Sequence, residues 1–228
     1  MPTVLITGAS RGIGFEFARQ YSAAGWVVHA GVRDLGSADA LMALKNPDLT
    51  VHKLDVIRHH EIVQVAIALA GTPIDLLINN AGMWLGSEEA FGQFSDDQWM
   101  EQFRLHVFAT MAMCEALVDN LAMSEHKLIV NISSGNGCFG IERGTGLFPY
   151  DSSKAALNTV TKGLSCELKA RGITVVSFTP GFVATDMSGP NADLTPEQSI
   201  AGMRDVISGL DLNKTGRFIR YNGVELPW

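Results

Sequence analysis

The chain predicts an α/β fold: a single-domain, doubly wound parallel sheet of the Rossmann type, about seven strands with helices on both faces. Three observations carry this. Short apolar runs alternate with longer helical patterns from end to end. Runs such as Leu128-Ile129-Val130-Asn131-Ile132 are apolar on both faces, as strands covered by helices on both sides must be. The first run, Thr3 to Thr7, is followed at once by Gly8-Ala9-Ser10-Arg11-Gly12-Ile13-Gly14 and then by a helical pattern. Strand, glycine turn and helix in that order form a dinucleotide cradle.

The elements follow in order. After the strand at 3–7, a helix at 12–24 places Ile13, Phe17, Ala18 and Tyr21 along one side. A second strand at 26–31 and a helix at 37–45 come next, then a strand at 51–54 and a helix at 59–70. A fourth strand at 74–79 leads to a long amphipathic helix at 96–122. The remaining pattern is strand 127–132, helix 150–171, strand 174–178, helix 196–209 and strand 217–220. Right-handed crossovers put the C-terminal strand ends at one edge. The glycine turn, Asn79, Ser134 and Pro180 all end or follow strands, so they converge there.

Size and composition narrow the function. A chain of 228 residues without repeats, linker or low-complexity tract suits one domain, residues 1–228. With 46% hydrophobic and 18% charged residues it reads as a soluble globular protein. A formal charge of −7 argues against a nucleic-acid surface, which needs clustered cations. No consecutive apolar run approaches the ~18–20 residues of a membrane span. The first strand starts by Thr3, leaving no room for a signal peptide. Cys114, Cys138 and Cys166 are widely spaced and read as incidental thiols of a reducing, cytoplasmic compartment. No histidine or acid spacing suggests a metal.

The densest chemistry is Tyr150-Asp151-Ser152-Ser153-Lys154. It puts a phenol and an ammonium four residues apart on one helix face. A tyrosine with a pKa near ~10 is a poor acid or base at neutral pH, and a fixed positive charge beside it favours the phenolate. Such a pair can pass a proton to or from an alcohol or carbonyl oxygen.

Together these motifs resemble the short-chain dehydrogenase/reductase family over nearly the whole chain. The resemblance rests on Thr7 to Gly14 as T-G-x3-G-x-G, Asn79-Asn80-Ala81-Gly82, Ser133-Ser134 at a strand end, Tyr150-x3-Lys154, and Pro180-Gly181 with Thr185 five residues after the proline. The closing Gly216-Arg217-Phe218 and Gly223-Val224-Glu225-Leu226-Pro227-Trp228 are most similar to its C-factor-like and sniffer-type carbonyl reductase branch. The resemblance implies a hydride transfer between a nicotinamide cofactor and a small carbonyl or alcohol substrate. Tyr150 then exchanges the proton, Lys154 tunes it and holds the nicotinamide ribose, and Ser134 steadies the developing alkoxide. Ser133 points the other way and reads as a strand-capping hydroxyl.

Other roles come from the same resemblance. Gly8, Ser10, Arg11, Gly12, Ile13 and Gly14 cradle the pyrophosphate. Asn80, Ala81 and Gly82 line the adenosine side. Asp55, with Val56 beside it, either meets the adenine amino group or serves as a helix N-cap. Pro180, Gly181, Val183 and Thr185 surround the nicotinamide amide. His106 stands where the family commonly has a relay asparagine; it either carries a proton relay behind Lys154 or simply packs. Ser134 precedes Tyr150 by sixteen residues, roughly three more than the family's usual spacing, which a glycine-rich loop absorbs.

Cofactor choice turns on the end of the second strand, where an NAD enzyme usually carries an acid. Here Arg33 occupies that region and Arg11 adds a second cation, so NADP(H) is expected over NAD(H). Asp34 is a competing neighbour for Arg33. Phe139, Ile141, Leu147, Phe148, Trp84 and Met187 offer an apolar substrate wall. Phe103, Val107, Met111 and Leu117 face either a partner in a homodimer or homotetramer or the monomer core. The alternative to an enzyme is a cofactor-binding regulatory protein on the same fold.

Overall fold

A computed structural model describes residues 1–84, 92–140, 147–189 and 191–228. One eight-stranded sheet runs through the molecule in the order β3-β2-β1-β4-β5-β6-β7-β8. The strands are β1 (Thr3–Thr7), β2 (Val27–Val32), β3 (Leu49–Lys53), β4 (Leu76–Asn79), β5 (Leu128–Ile132), β6 (Thr174–Thr179), β7 (Phe218–Arg220) and β8 (Glu225–Leu226). The helices are α1 (Gly12–Ala23), α2 (Asp39–Met42), α3 (His59–Ala68), α4 (Asp96–Phe103), α5 (Ala109–Met123), α6 (Phe148–Glu167) and α7 (Pro196–Ser208). The order reverses between β1 and β4, so the crevice that binds ligands in such sheets opens beyond those strand ends.

Alternation along each strand divides the core. Val4 and Ile6 of β1 pack with Phe17 and Tyr21 of α1 and with Ile200 and Met203 of α7. Leu5, between them, faces the other side with Leu77, Ile129, Met113 and Leu117. Phe17 and Leu117 are buried to within 1%. Each such side chain contributes roughly 1.5–3 kcal/mol by leaving water.

Four departures from the sequence expectation have local causes. The sheet has an eighth strand, which pairs antiparallel with β7; two residues carry no periodic signal. α2 is shorter than expected because Asp34 caps a separate turn at Leu35–Ser37 and Lys45 takes a left-handed φ of 50°. α6 starts earlier, at Phe148, with Pro149 in its first turn, where a missing N–H costs nothing. The long helix is interrupted by a π-helical segment, Arg104–Phe108, between α4 and α5. Such bulges arise where an extra residue is accommodated, often at functional sites.

By length and composition Asp96–Met123 could cross a membrane, but 61% of its apolar window is buried inside the protein, as in a core helix. Val107 and Leu117 belong to the core, at 7% and 1% exposure. Met100, Phe108, Met111 and Met123 are the large apolar side chains exposed on this segment.

Candidate active site

The glycine turn is shaped by close packing. Gly8 has φ of 66°, and a Cβ there would sit 2.9 Å from the Ala81 backbone. A Cβ on Gly14 would lie 2.2 Å from the Gly8 carbonyl oxygen and 2.5 Å from Asn80 Nδ2. Only hydrogen fits at either place, so the two turns after β1 and β4 can nest. Thr7 and Asn80 stitch them together. The amides of Asn80 and Ala81 both donate to Thr7 Oγ1 at 3.0 Å. Asn80 Nδ2 donates back to the carbonyls of Thr7 and Gly8 at 2.9 and 3.2 Å. Asn79 serves the other neighbour: its Nδ2 donates to Asn131 Oδ1 at 2.9 Å, and Asn131 Nδ2 donates to Thr161 Oγ1 of α6 at 2.9 Å. Thr7 opens the glycine motif in the sequence, but the roles of Asn131 and Thr161 were not singled out there.

α1 begins at Gly12 without a side-chain cap, and its first turn holds no acid. Its first amides and dipole are therefore available to an anion. Arg11 and Arg33 are exposed beside this end. Asp34, next to Arg33, accepts the Gly36 amide at 3.0 Å through Oδ1. Arg11 Nη1 instead meets Asp186 Oδ2 at 3.0 Å, both groups well exposed. Ser10 and Ile13 complete the turn, half-buried. These features fit a phosphorylated dinucleotide.

Asp55 is not the N-cap of the following helix. Its Oδ1 accepts the Ile57 amide at 3.4 Å and its Oδ2 pairs with Arg58 at 3.3 Å, whereas the N-cap of α3 is Arg58. Val56 beside it is buried. On the opposite side of the crevice, Ser199 Oγ donates to the Pro180 carbonyl at 2.7 Å and fixes the turn after β6. Gly181 takes φ of 83°. Val183 is buried, its carbonyl accepts from Ser188 Oγ, and Ser188 Oγ in turn accepts the Thr185 amide at 3.1 Å. Thr185 lies against Gly12, where a Cβ would meet its methyl at 3.5 Å.

Ser134, Tyr150 and Lys154 meet between β5 and α6. Ser134 Oγ accepts the Asn136 amide at 3.2 Å, and the Ser134 side chain acts to lower the Tyr150 pKa. Ser133, pointing the other way, donates to the Lys154 carbonyl at 3.5 Å. Lys154 is 4% exposed; its Nζ donates to the Ile132 carbonyl at 3.0 Å and lies 5.7 Å from the Tyr150 ring centroid. Burial pushes the lysine down to about 7. Burial also pushes the phenol up, to about 12, against the lowering effect of Ser134 and with a further push from Asp151. Burial is the largest cause of both shifts, and the lowering of the phenol expected from the ammonium is not among the causes acting on Tyr150.

His106 sits in the π segment and is 1% exposed. Its Nε2 accepts the Met83 amide at 3.2 Å, and its Nδ1 lies 2.8 Å from Ser153 Oγ. Ser153 Oγ donates to the Tyr150 carbonyl at 2.7 Å. The ring stands edge-on to Tyr150, centroids 5.7 Å apart. An acceptor Nε2 fixes the proton on Nδ1, so the imidazole is neutral. Its pKa is held well below the ordinary value by burial and then by the Lys154 charge. Both ring nitrogens are committed to protein groups, and Thr110 Oγ1 occupies the His106 carbonyl at 2.9 Å. Sequence offered the position but not Met83 or Ser153 as partners.

Of the apolar wall, Trp84, Phe139, Phe148 and Met187 are exposed and Leu147 is half-buried; Ile141 lies outside the described residues.

Residues 2–194 match the short chain dehydrogenase family. The C-signal protein of Myxococcus xanthus is 34% identical over 156 residues, covering 68% of this chain and 93% of its own length. The NADPH-bound carbonyl reductase from chicken fatty liver superposes with a TM-score of 0.91 at 29% identity, covering 100% of this chain and 99% of that one. The carbonyl reductase Sniffer of D. melanogaster, at 24% identity and complete coverage of both chains, shares the fold with a TM-score of 0.93. With most of its length matched and the motifs gathered at one sheet edge, the chain belongs to the short-chain dehydrogenase family.

Proposed function

We propose that this protein is an NADP-dependent oxidoreductase that reduces a small carbonyl compound, or oxidises the corresponding alcohol. The observation that carries the reading is the gathering of Ser134, Tyr150 and Lys154 between β5 and α6, in the same sheet whose first strand leads to the uncapped start of α1. The NADPH carried by the chicken liver neighbour supports the cofactor. NADPH, when bound, supplies the hydride.

The chain's own groups do the rest. The α1 amides and Arg11 hold phosphate, and Arg33 holds the charge on the adenosine ribose. Pro180, Gly181, Val183 and Thr185 border the nicotinamide. Tyr150 gives its phenolic proton to the carbonyl oxygen as the alkoxide forms, and Ser134 donates a hydrogen bond to that oxygen. Lys154 stands behind Tyr150, where its charged form favours the departing proton's phenolate. A pure cofactor sensor has no use for this proton-transfer set.

Loss of reduced-nicotinamide absorbance with a panel of ketones and aldehydes tests the reading. Turnover with NADPH supports it; a protein that binds NADPH yet reduces and oxidises nothing favours the regulatory alternative. Met100, Phe108 and Met111 mark the face for a homo-oligomer. Light scattering at a single 24.6 kDa chain mass would contradict that assembly.

A further inference from the structure

We propose that the closing segment, residues 225–228, braces the loop after Ser134 and so fixes the wall of the site that receives the substrate's carbon skeleton. This rests on the reading of Tyr150 and Ser134 as the reacting groups. It joins two features of the sequence that the proton-transfer chemistry leaves over: the G-V-E-L-P-W ending and the long Ser134-to-Tyr150 spacing.

The two meet in space. β8 turns back along β7, with Leu226 opposite Phe218 and Glu225 opposite Ile219. That reversal carries the chain to the serine loop. Cys138 Sγ donates to the Pro227 carbonyl at 2.9 Å. A Cβ on Gly140 would lie 2.8 Å from Pro227 Cγ, so the loop backbone rests directly on the proline ring. Trp228 stacks on Phe218, ring centroids 5.7 Å apart and planes 25° from parallel. Lys162 Nζ lies 5.7 Å from the Trp228 ring and also donates to the Gly216 carbonyl at 3.1 Å. Cys138, Phe218 and Leu226 form a small core of their own under Trp228, separate from the two cores of the sheet.

The loop is fastened on its other flank to α6. Asn158 Nδ2 donates to the Gly137 carbonyl at 3.1 Å, and Asn136 Nδ2 donates to Asp151 Oδ1 at 2.8 Å. A Cβ on Gly137 would lie 2.8 Å from the Lys154 carbonyl carbon. Residues 135–140 are therefore held between the helix that carries Tyr150 and the strand that closes the chain. Phe139, between the two pinned positions, is 76% exposed. A bulky aromatic held by its backbone costs little further entropy when an apolar group packs on it.

Trp228→Ala tests this, with Trp228→Phe as the variant that keeps the stack. Amide hydrogen exchange of residues 135–140 reads the brace without any turnover. The brace predicts faster exchange there in Trp228→Ala and parental exchange in Trp228→Phe. It also predicts that kcat/KM for a bulky aryl ketone falls by roughly fivefold or more, while a short aliphatic ketone and NADPH affinity change less than about twofold. Where Trp228→Ala does not fold, Gly140→Ala displaces Pro227 from the loop side and reads the same effects. Unchanged exchange at 135–140 overturns the brace. Faster exchange with unchanged relative kcat/KM overturns its part in substrate selection. A parent protein that reduces no carbonyl counts against the proposed function, and the exchange result then still decides the brace.

Discussion

His106 Nδ1 lies 2.8 Å from the Ser153 hydroxyl, which in turn donates to the backbone carbonyl of Tyr150. With Met83 on its other nitrogen, the imidazole links the turn after β4 to the first turn of α6. Its two nitrogens are spent on position. We propose that it acts as a positioning residue rather than a proton carrier.

His106→Leu leaves the Met83 amide and Ser153 without this partner. Stability should fall by about 1–3 kcal/mol, and turnover should fall with it, while the shape of the pH–rate profile stays parental. Ser153→Ala should give a similar kinetic change, and the double variant should lose less than the sum. A neutral histidine held low is penalised as acid charges it, so the parent loses stability below the ordinary histidine range and His106→Leu loses less. His29, held down to about 4 by burial and by His52, acts with the same sign in both proteins and cancels in the difference. A displaced pH–rate profile in His106→Leu would restore the relay.

Lys154 gives a pH dependence of the same direction, in a higher pH range. Its folded pKa of about 7 is below the unfolded value of 10.5. Between those values the unfolded chain binds more protons, so stability rises with pH, by at most about 1.4 kcal/mol per pH unit. Below about 7 the cost of the buried charge is fully present. Urea midpoints of the cofactor-free protein should increase from pH 7.5 to 9, and Lys154→Met should flatten that rise. An equal slope in the variant would mean that Lys154 is not the titrating group.

Arg11 is engaged by Asp186 in the cofactor-free protein. An exposed pair of this kind is worth roughly 0.2–1 kcal/mol. Asp186→Asn should therefore tighten NADPH by about 1.5–5-fold and NADH by less. Arg33→Asp should narrow or reverse the preference for NADPH. Calorimetric titrations check both; equal affinities of the parent for the two cofactors would remove the assignment of Arg11 and Arg33.

The parallel sheet, the order of its elements and the crevice at its edge were legible because apolar runs and glycine turns are local signals. Thr3–Thr7 and Thr174 to Phe178 needed nothing beyond their own residues. β8 was not legible, since its two residues are defined by what they pair with. The π segment was hidden for the same reason: Arg104 to Phe108 reads as ordinary helix until Met83 and Ser153 take the ring of His106. In the site, Tyr150-x3-Lys154 announced the pair, but its electrostatics depend on burial. Spacing alone placed an ammonium beside a phenol; only the packed site put Lys154 at about 7 and Tyr150 at about 12.

The central claim is that Tyr150 supplies the proton for carbonyl reduction. Single-turnover oxidation of bound NADPH by a carbonyl substrate, in the parent and in Tyr150→Phe, tests it most directly. The account predicts that the variant binds NADPH as the parent does but transfers hydride about 10²–10⁴-fold more slowly. A Tyr150→Phe protein that oxidises NADPH at the parental rate would contradict it.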